Sequence, residues 1–201
     1  MMRQDAKTAD APVFPPALAP QAGYYALLGA HKRVRIAMEA PYDKRRKETH
    51  RYDVADTRGR LTLTVPVRQP HGIARARWTD VSISGHGRWQ AVHAAALASA
   101  YGRTPFYEFY IDRLAPALFA PEDTPLSEQI MAVNSVLCDI LLIDTEIDYG
   151  ADAVADMPSM PGVGPYWQVR GREHGFIGNL SVLDLLFNMG PEAALLLRRA
   201  F

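Results

Sequence analysis

The chain has 201 residues, 48% of them hydrophobic, enough to bury a core and suited to one domain or one domain with a small appendage. Lys+Arg and Asp+Glu both number 22, so no global field recruits nucleic acid or an anionic membrane, and any anion site must be local. The single cysteine, Cys138, excludes an internal disulfide and a multi-cysteine zinc site.

In chain order, "MMRQDAKTADAPVFPPALAPQ" has no apolar region of signal-peptide length, and no later apolar run approaches the ~18 residues that span a bilayer. A cytoplasmic protein with no membrane span is expected. Residues 1–12 have little to bury and read as a disordered tail, leaving 13–201 as a single domain. "VFPPALAPQAGYYALLGAHKRVRIAM" predicts an extended piece, a brief helix with Tyr24, Leu27 and Leu28, and a strand of Val34, Ile36 and Met38. "HRYDVADTRGRLTLTVPV" predicts two strands turned at Arg58-Gly59, with Leu61, Leu63, Val65 and Val67 alternating against polar neighbours. "WTDVSIS" repeats that pattern after a loop, "RQPHGIARAR".

From Trp89 the period becomes helical, with Trp89, Val92, His93, Ala96, Leu97, Ala100 and Tyr101 at three- and four-residue steps, predicting a helix over 88–101 that Gly102 ends. Thr104-Pro105 opens a second helix with Phe106, Phe109, Tyr110 and Leu114 as its stripe, until Pro116 interrupts it. Thr124-Pro125 opens a third, through Ile130, Val133, Leu137 and Leu141, in which Cys138 reads as a packed, inert thiol. "ADMPSMPGVGP" reads as a surface loop or mobile flap, and "YWQVR" as a strand. In "HGFIGNLSVLDLLFNMGP", Asn179 or Ser181 can cap a helix, Ser181 to Asp184 has capping-box spacing, Gly190 ends the helix and Pro191 starts a last one. The fold class expected is α+β with an α/β start, a small central sheet of about four to six strands covered by about five to six helices.

Of six histidines, His93 and His174 invite attention. His93 lies on an apolar helical stripe, where a satisfied core imidazole competes with a site role. His174 stands between the expected strand and a helix start, where α/β sites collect their groups. "PYDKRRKETHR" is either a solvated charged edge or an anion cradle of Lys44, Arg45, Arg46, Lys47, His50 and Arg51, and His50 and Tyr52 share one face if the segment enters a strand. Asp144, Glu146 and Asp148 would share a strand face, but an EF-hand is ruled out because Gly150 falls one place late and Ala155 replaces the bidentate glutamate; no metal is expected. Phosphate-loop, zinc-hydrolase, nucleophile-elbow and dinucleotide fingerprints are absent.

"YWQVRGREHGFIGNLSVLDLLFNMGPEA" resembles the C-terminal signature of the WbqC-like family, and "GYYALL", "YDKR", "LTLTVPV", "WTDVSIS" and "WQAVHAAALASAYGRTPFYEFY" extend the resemblance over roughly residues 13–195. It implies a transferase that moves a small acyl or aminoacyl group, such as glycyl, onto a sugar or sugar nucleotide in bacterial surface-polysaccharide biosynthesis. The alternatives are a non-catalytic sugar-nucleotide or protein-binding module of that machinery and, more weakly, a nucleic-acid-modifying enzyme, which the neutral charge disfavours. The partner implied is a phosphate-bearing small molecule, not nucleic acid, and the resemblance leaves the cofactor unknown. The positions matching the family's run are Tyr42, Lys44, Arg45, His93, Tyr101, Asn179, Asp184 and Asn188. In the implied mechanism His93 or His174 is the base, with Asp184 beside them. Tyr42, Lys44, Arg45, His50, Arg51, Tyr101, Asn179 and Asn188 hold substrate, the cations on phosphate and Asn179 on a carbonyl. Relatives carry a His-Gln-Pro turn and an Arg-Asn-Arg element where this chain has "LAPQAGYY" and "RKETHRY", so His50 and Arg51 are expected substitutes.

Overall fold

Parallel pairing starts the fold: β1 (Val13–Phe14) lies beside β2 (Arg33–Ile36), and β2 beside β7 (Glu146–Asp148). This is a computed structural model, and it describes residues 11–69, 72, 75–153 and 159–200. Most of the expected tail, part of the "RQPHGIARAR" loop and residues 155–158 of the expected flap lie outside the described residues.

The β1–β2 crossover is α1 (Ala22–Gly29), buried along Ala22–Leu28, which is why its sequence has no polar face. In β2, Val34 and Ile36 point into the core, while Arg33 and Arg35 face Glu146 at 2.6 Å and Asp148 at 3.3 Å across the parallel register. The acidic face of β7 is thus balanced by arginines, and among the described residues no three His, Cys, Asp or Glu side chains gather as metal ligands.

β3 (Arg51–Asp56) and β4 (Gly59–Thr64) form the expected hairpin, with Tyr52 opposite Leu63 and Val54 opposite Leu61. Gly59, at φ +107°, takes a backbone position that side chains resist. β5 (Val67–Arg68) pairs, among the described residues, with β6 (Ser82–Ile83). One sheet of four to six strands is therefore not what forms: the described residues make a three-stranded sheet and two two-stranded ribbons. Pro66 supplies the reason, because it has no N–H to continue the ladder between β4 and β5.

Among the described residues seven α-helices surround these ribbons, one or two more than expected, and the class is α+β as expected. α2 (Trp89–Tyr101) and α4 (Leu126–Ile140) fall where the spacing puts them. α3 (Tyr107–Leu118) continues past Pro116, which sits in its last turn, and its inward stripe is Tyr107, Tyr110, Leu114 and Leu118, while Phe109 is 70% exposed. "YWQVR" is irregular rather than a strand. α5 (Gly171–His174) is a single turn, followed by α6 (Val182–Met189) and α7 (Glu192–Arg198). Gly190 joins the last two at φ +54°, and a Cβ there would sit 2.5 Å from the Phe106 ring, so both conformation and space require glycine. Burial pushes the half-buried Cys138 thiol up to about 11, in keeping with an inert side chain. Among the described residues no helix is long and apolar enough to cross a membrane.

Candidate functional site

Three stretches far apart in sequence are tied together by main-chain hydrogen bonds. The Leu18 amide donates to the Glu48 carbonyl at 3.0 Å, the Ser181 amide to Asp53 at 2.8 Å and the Val182 amide to Pro20 at 2.8 Å. Between them opens a cleft of about 510 Å³, the size of a small-molecule site. Pro15, Ala17, Ala19, Pro20 and Met160 give it an apolar side; Lys47, Glu48, Arg51, Asp53, Thr62 and Asn179 give it a polar one. α1 and α6 both begin at its edge, through Gln21 and Ser181. Their first amides are largely occupied by the chain itself: Ser181 Oγ accepts from the Leu183 amide and donates to the Ala19 carbonyl.

The charges of the cleft do not cancel within it. Asp53 accepts from Arg60 at 2.8 Å and from Thr62 at 2.6 Å, and Glu48 lies 3.6 Å from Arg46. Neither Arg46 nor Arg60 lines the cleft. Both acids are thus balanced from outside, while Lys47 and Arg51 have no carboxylate partner among the described residues. Arg51 Nε is enclosed without a hydrogen-bond partner. The net local field is positive and favours an anion.

Of the residues singled out from sequence, Lys47 of the expected cradle, Arg51 and Asn179 reach this cleft. Arg45 folds back on Asp43, whose carboxyl it holds down at about 2, and Lys44 projects from the same surface turn. Tyr42 packs its ring edge-on against Trp78, with centroids 4.7 Å apart. His50 is turned inward, its Nδ1 3.0 Å from Thr49 Oγ1, and burial with the nearby Arg51 and Lys47 charges brings it down to about 4. His93 lies one layer beneath the cleft: Nδ1 is 3.1 Å from the hydroxyl of Tyr52, a lining residue, and Nε2 is 3.2 Å from the Thr64 carbonyl. Burial lowers it to about 4, the Thr64 carbonyl opposing. His174 sits on the surface at the end of α5, 3.9 Å from Glu173. The two imidazoles and the basic strip therefore do not share one hollow.

The "YWQVR…GNLSVLDLLFNMGP" run resolves into a buried hydrogen-bond hub. Asp184, fully buried on α6, accepts from Tyr101 at 2.8 Å, Tyr166 at 2.7 Å and Gln168 at 2.8 Å. Burial raises its carboxyl pKa, against the pull of those donors. Gln168 also pairs both ways with the Ile177 main chain, and Asn188 accepts from the Val169 amide. Tyr101 takes the Ala55 amide at 3.1 Å, carrying the hub to β3. Asp184, Tyr101 and Asn188 thus hold the loop from Tyr166 to Asn179 against the body. Ser181 caps α6 as expected, but the capping box does not form, because Asp184 points to this hub instead.

Sequence reasoning passed over Glu48, Asp53, Thr62 and Gln21. The available signal was the period of β3: in a half-buried strand His50 and Tyr52 turn in together and Arg51 and Asp53 turn out together.

Arg60 holds the Asn179 side of the cleft, donating to the carbonyls of Gly178 at 2.7 Å and Asn179 at 3.2 Å while it pairs with Asp53. Asn179 sits at φ +56° and depends on such support. Replacing Arg60 with Met is expected to cost about 1–2 kcal/mol of stability in urea unfolding and to speed amide exchange at residues 178–181 specifically.

What fold and geometry define is a small α+β protein with one cation-rich cleft between its first crossover, its hairpin and its C-terminal helices. The family described as the WbqC-like protein family matches residues 15–158, more than half of the chain, and the protein belongs to that family. The match holds the Lys47–Asp53 and Pro15–Tyr24 walls of the cleft and ends before the Asp184 hub. No curated protein and no solved structure matches the chain.

Proposed function

We propose that the protein is a cytoplasmic transferase that moves a small acyl or aminoacyl group onto a sugar nucleotide for bacterial surface-polysaccharide synthesis. The observation that carries this reading is the pair Lys47 and Arg51, cations without acidic partners among the described residues, on a cleft large enough for a phosphorylated sugar. Arg51 takes phosphate oxygens by its planar fork and Lys47 adds a compact charge. The reaction class is the one the WbqC-like resemblance suggests, and it is part of the proposal. The acceptor amine or hydroxyl attacks the acyl carbon of an activated ester; the new amide or ester bond forms as the bond to the leaving group breaks. The proton of the acceptor passes to Glu48, the cleft carboxylate held only by a 3.6 Å ion pair. That neither His93 nor His174 reaches the cleft favours, as a second reading, a module that binds the sugar nucleotide without turning it over.

Calorimetric titration with UDP-glucose and with inorganic pyrophosphate tests the site. Arg51→Ala and Lys47→Ala are each expected to weaken binding about tenfold, with Arg45→Ala unchanged because Arg45 stands outside the cleft. Equal losses in all three variants, or none, would overturn the assignment. Glu48→Gln then separates the two readings: as base its loss removes acyl transfer to an amino-sugar nucleotide and leaves binding intact.

A further inference from the structure

We infer that the face around Trp167 is a second, separate subsite for a neutral sugar ring. Trp167 is 56% exposed, while Trp78 and Trp89 are 1% and 4% exposed and both pack against aromatic partners. It stands between two shallow hollows, one of about 310 Å³ that it shares with Arg172 and Phe176, the other of about 510 Å³ that it shares with Phe106 and Glu192. Its exposure is not looseness of the chain. The residues on either side, Tyr166 and Gln168, are both bonded to buried Asp184, and Val169 is bonded to Asn188. A hub of buried polar contacts thus fixes the main chain and leaves one indole facing solvent.

The flanking charges select the class of ligand. Arg172 lies on one side and Glu192 on the other, both exposed. A hydrocarbon tail would strip water from both, and a polyanion would meet Glu192, so a lipid or nucleic acid is disfavoured. A pyranose satisfies all three groups: its C–H face lies on the indole, and its hydroxyls donate to the carboxylate and accept from the guanidinium. A second copy of this chain would need a larger apolar patch than one indole and its neighbours. Placing this sugar as the acceptor end, or the growing glycan, of the proposed reaction rests on the transferase reading; the subsite itself does not.

The test is titration of the full chain with neutral maltohexaose and chitohexaose, followed by tryptophan emission and by saturation-transfer NMR. The expected result is a saturable emission change with at least one of the two glycans, absent from Trp167→Ala, and transfer to sugar ring protons. Trp167→Ala should weaken binding by about tenfold in the NMR titration, and Trp167→Tyr by less, with thermal unfolding unchanged in both. Arg51→Ala should leave glycan binding intact, so this subsite and the anion cleft stand or fall separately. No saturable response to either glycan would overturn the inference. So would an emission change that follows protein concentration or anionic vesicles instead.

Discussion

Replacing Asp184 with Ala is expected to destabilise the protein by about 3–5 kcal/mol, a large share of the stability of an ordinary domain, measured as the shift in urea midpoint. The carboxylate accepts from Tyr101, Tyr166 and Gln168, so its removal leaves three donors, two of them on buried residues, facing a cavity. Asp184→Asn keeps the shape and one acceptor oxygen but sets an amide against at least one donor; about 1–2 kcal/mol is expected. The pair of variants also decides between structure and chemistry. If Asp184 acts only through the loop it fixes, Asp184→Asn retains ligand binding in proportion to folded protein. Loss of binding in a fully folded Asp184→Asn variant would place Asp184 in the binding machinery instead. A near-neutral Asp184→Ala would show that the hub carries little of the fold.

That outcome bears on how much of this protein was legible in its sequence. Helices whose apolar residues recur every three or four positions, α2 and α4, lie where the spacing puts them, because their inward faces are continuous. The hairpin was legible from its alternation and turn. Sheet size was not, because Pro66 breaks a run that otherwise reads as unbroken strand. "YWQVR" misled for another reason: half-buried Tyr166 and buried Gln168 are bonded through their side chains to Asp184, and hydropathy patterns do not distinguish a loop held by side chains from a strand held by a ladder. The site was half legible. A basic run near residue 47 was visible, but which cations remain unpaired depends on Asp43 folding onto Arg45 and on the distant Arg60 reaching Asp53. Nothing in local sequence shows that Pro20, Asp53 and Ser181 meet.

Stability is expected to fall by about 3–4 kcal/mol between pH 7.5 and pH 5, through His50 and His93. Both rings are buried, and both are held near 4 in place of 6.5, chiefly by loss of solvent. The folded chain therefore favours their neutral forms. Their contribution is fully present above 6.5, where neither state takes a proton, and is lost as pH falls towards 4, because the unfolded chain protonates first. Asp184 runs the other way. Its folded pKa is raised above 3.8, so its contribution is present below 3.8 and lost as pH rises through the folded value; at the acid end it offsets part of the histidine loss. Denaturant unfolding at half-unit steps of pH reads the slope. In a chain carrying both His50→Gln and His93→Gln the slope between pH 6.5 and 5 should nearly vanish, whatever the cost of the substitutions to the level at pH 7.5. His93→Gln alone should remove about half of it, since Tyr52 and Thr64 offer an amide the same two contacts. An unchanged slope in the double variant would mean that other groups govern acid unfolding, and that the layer beneath Tyr52 is not the proton-sensitive part of the fold.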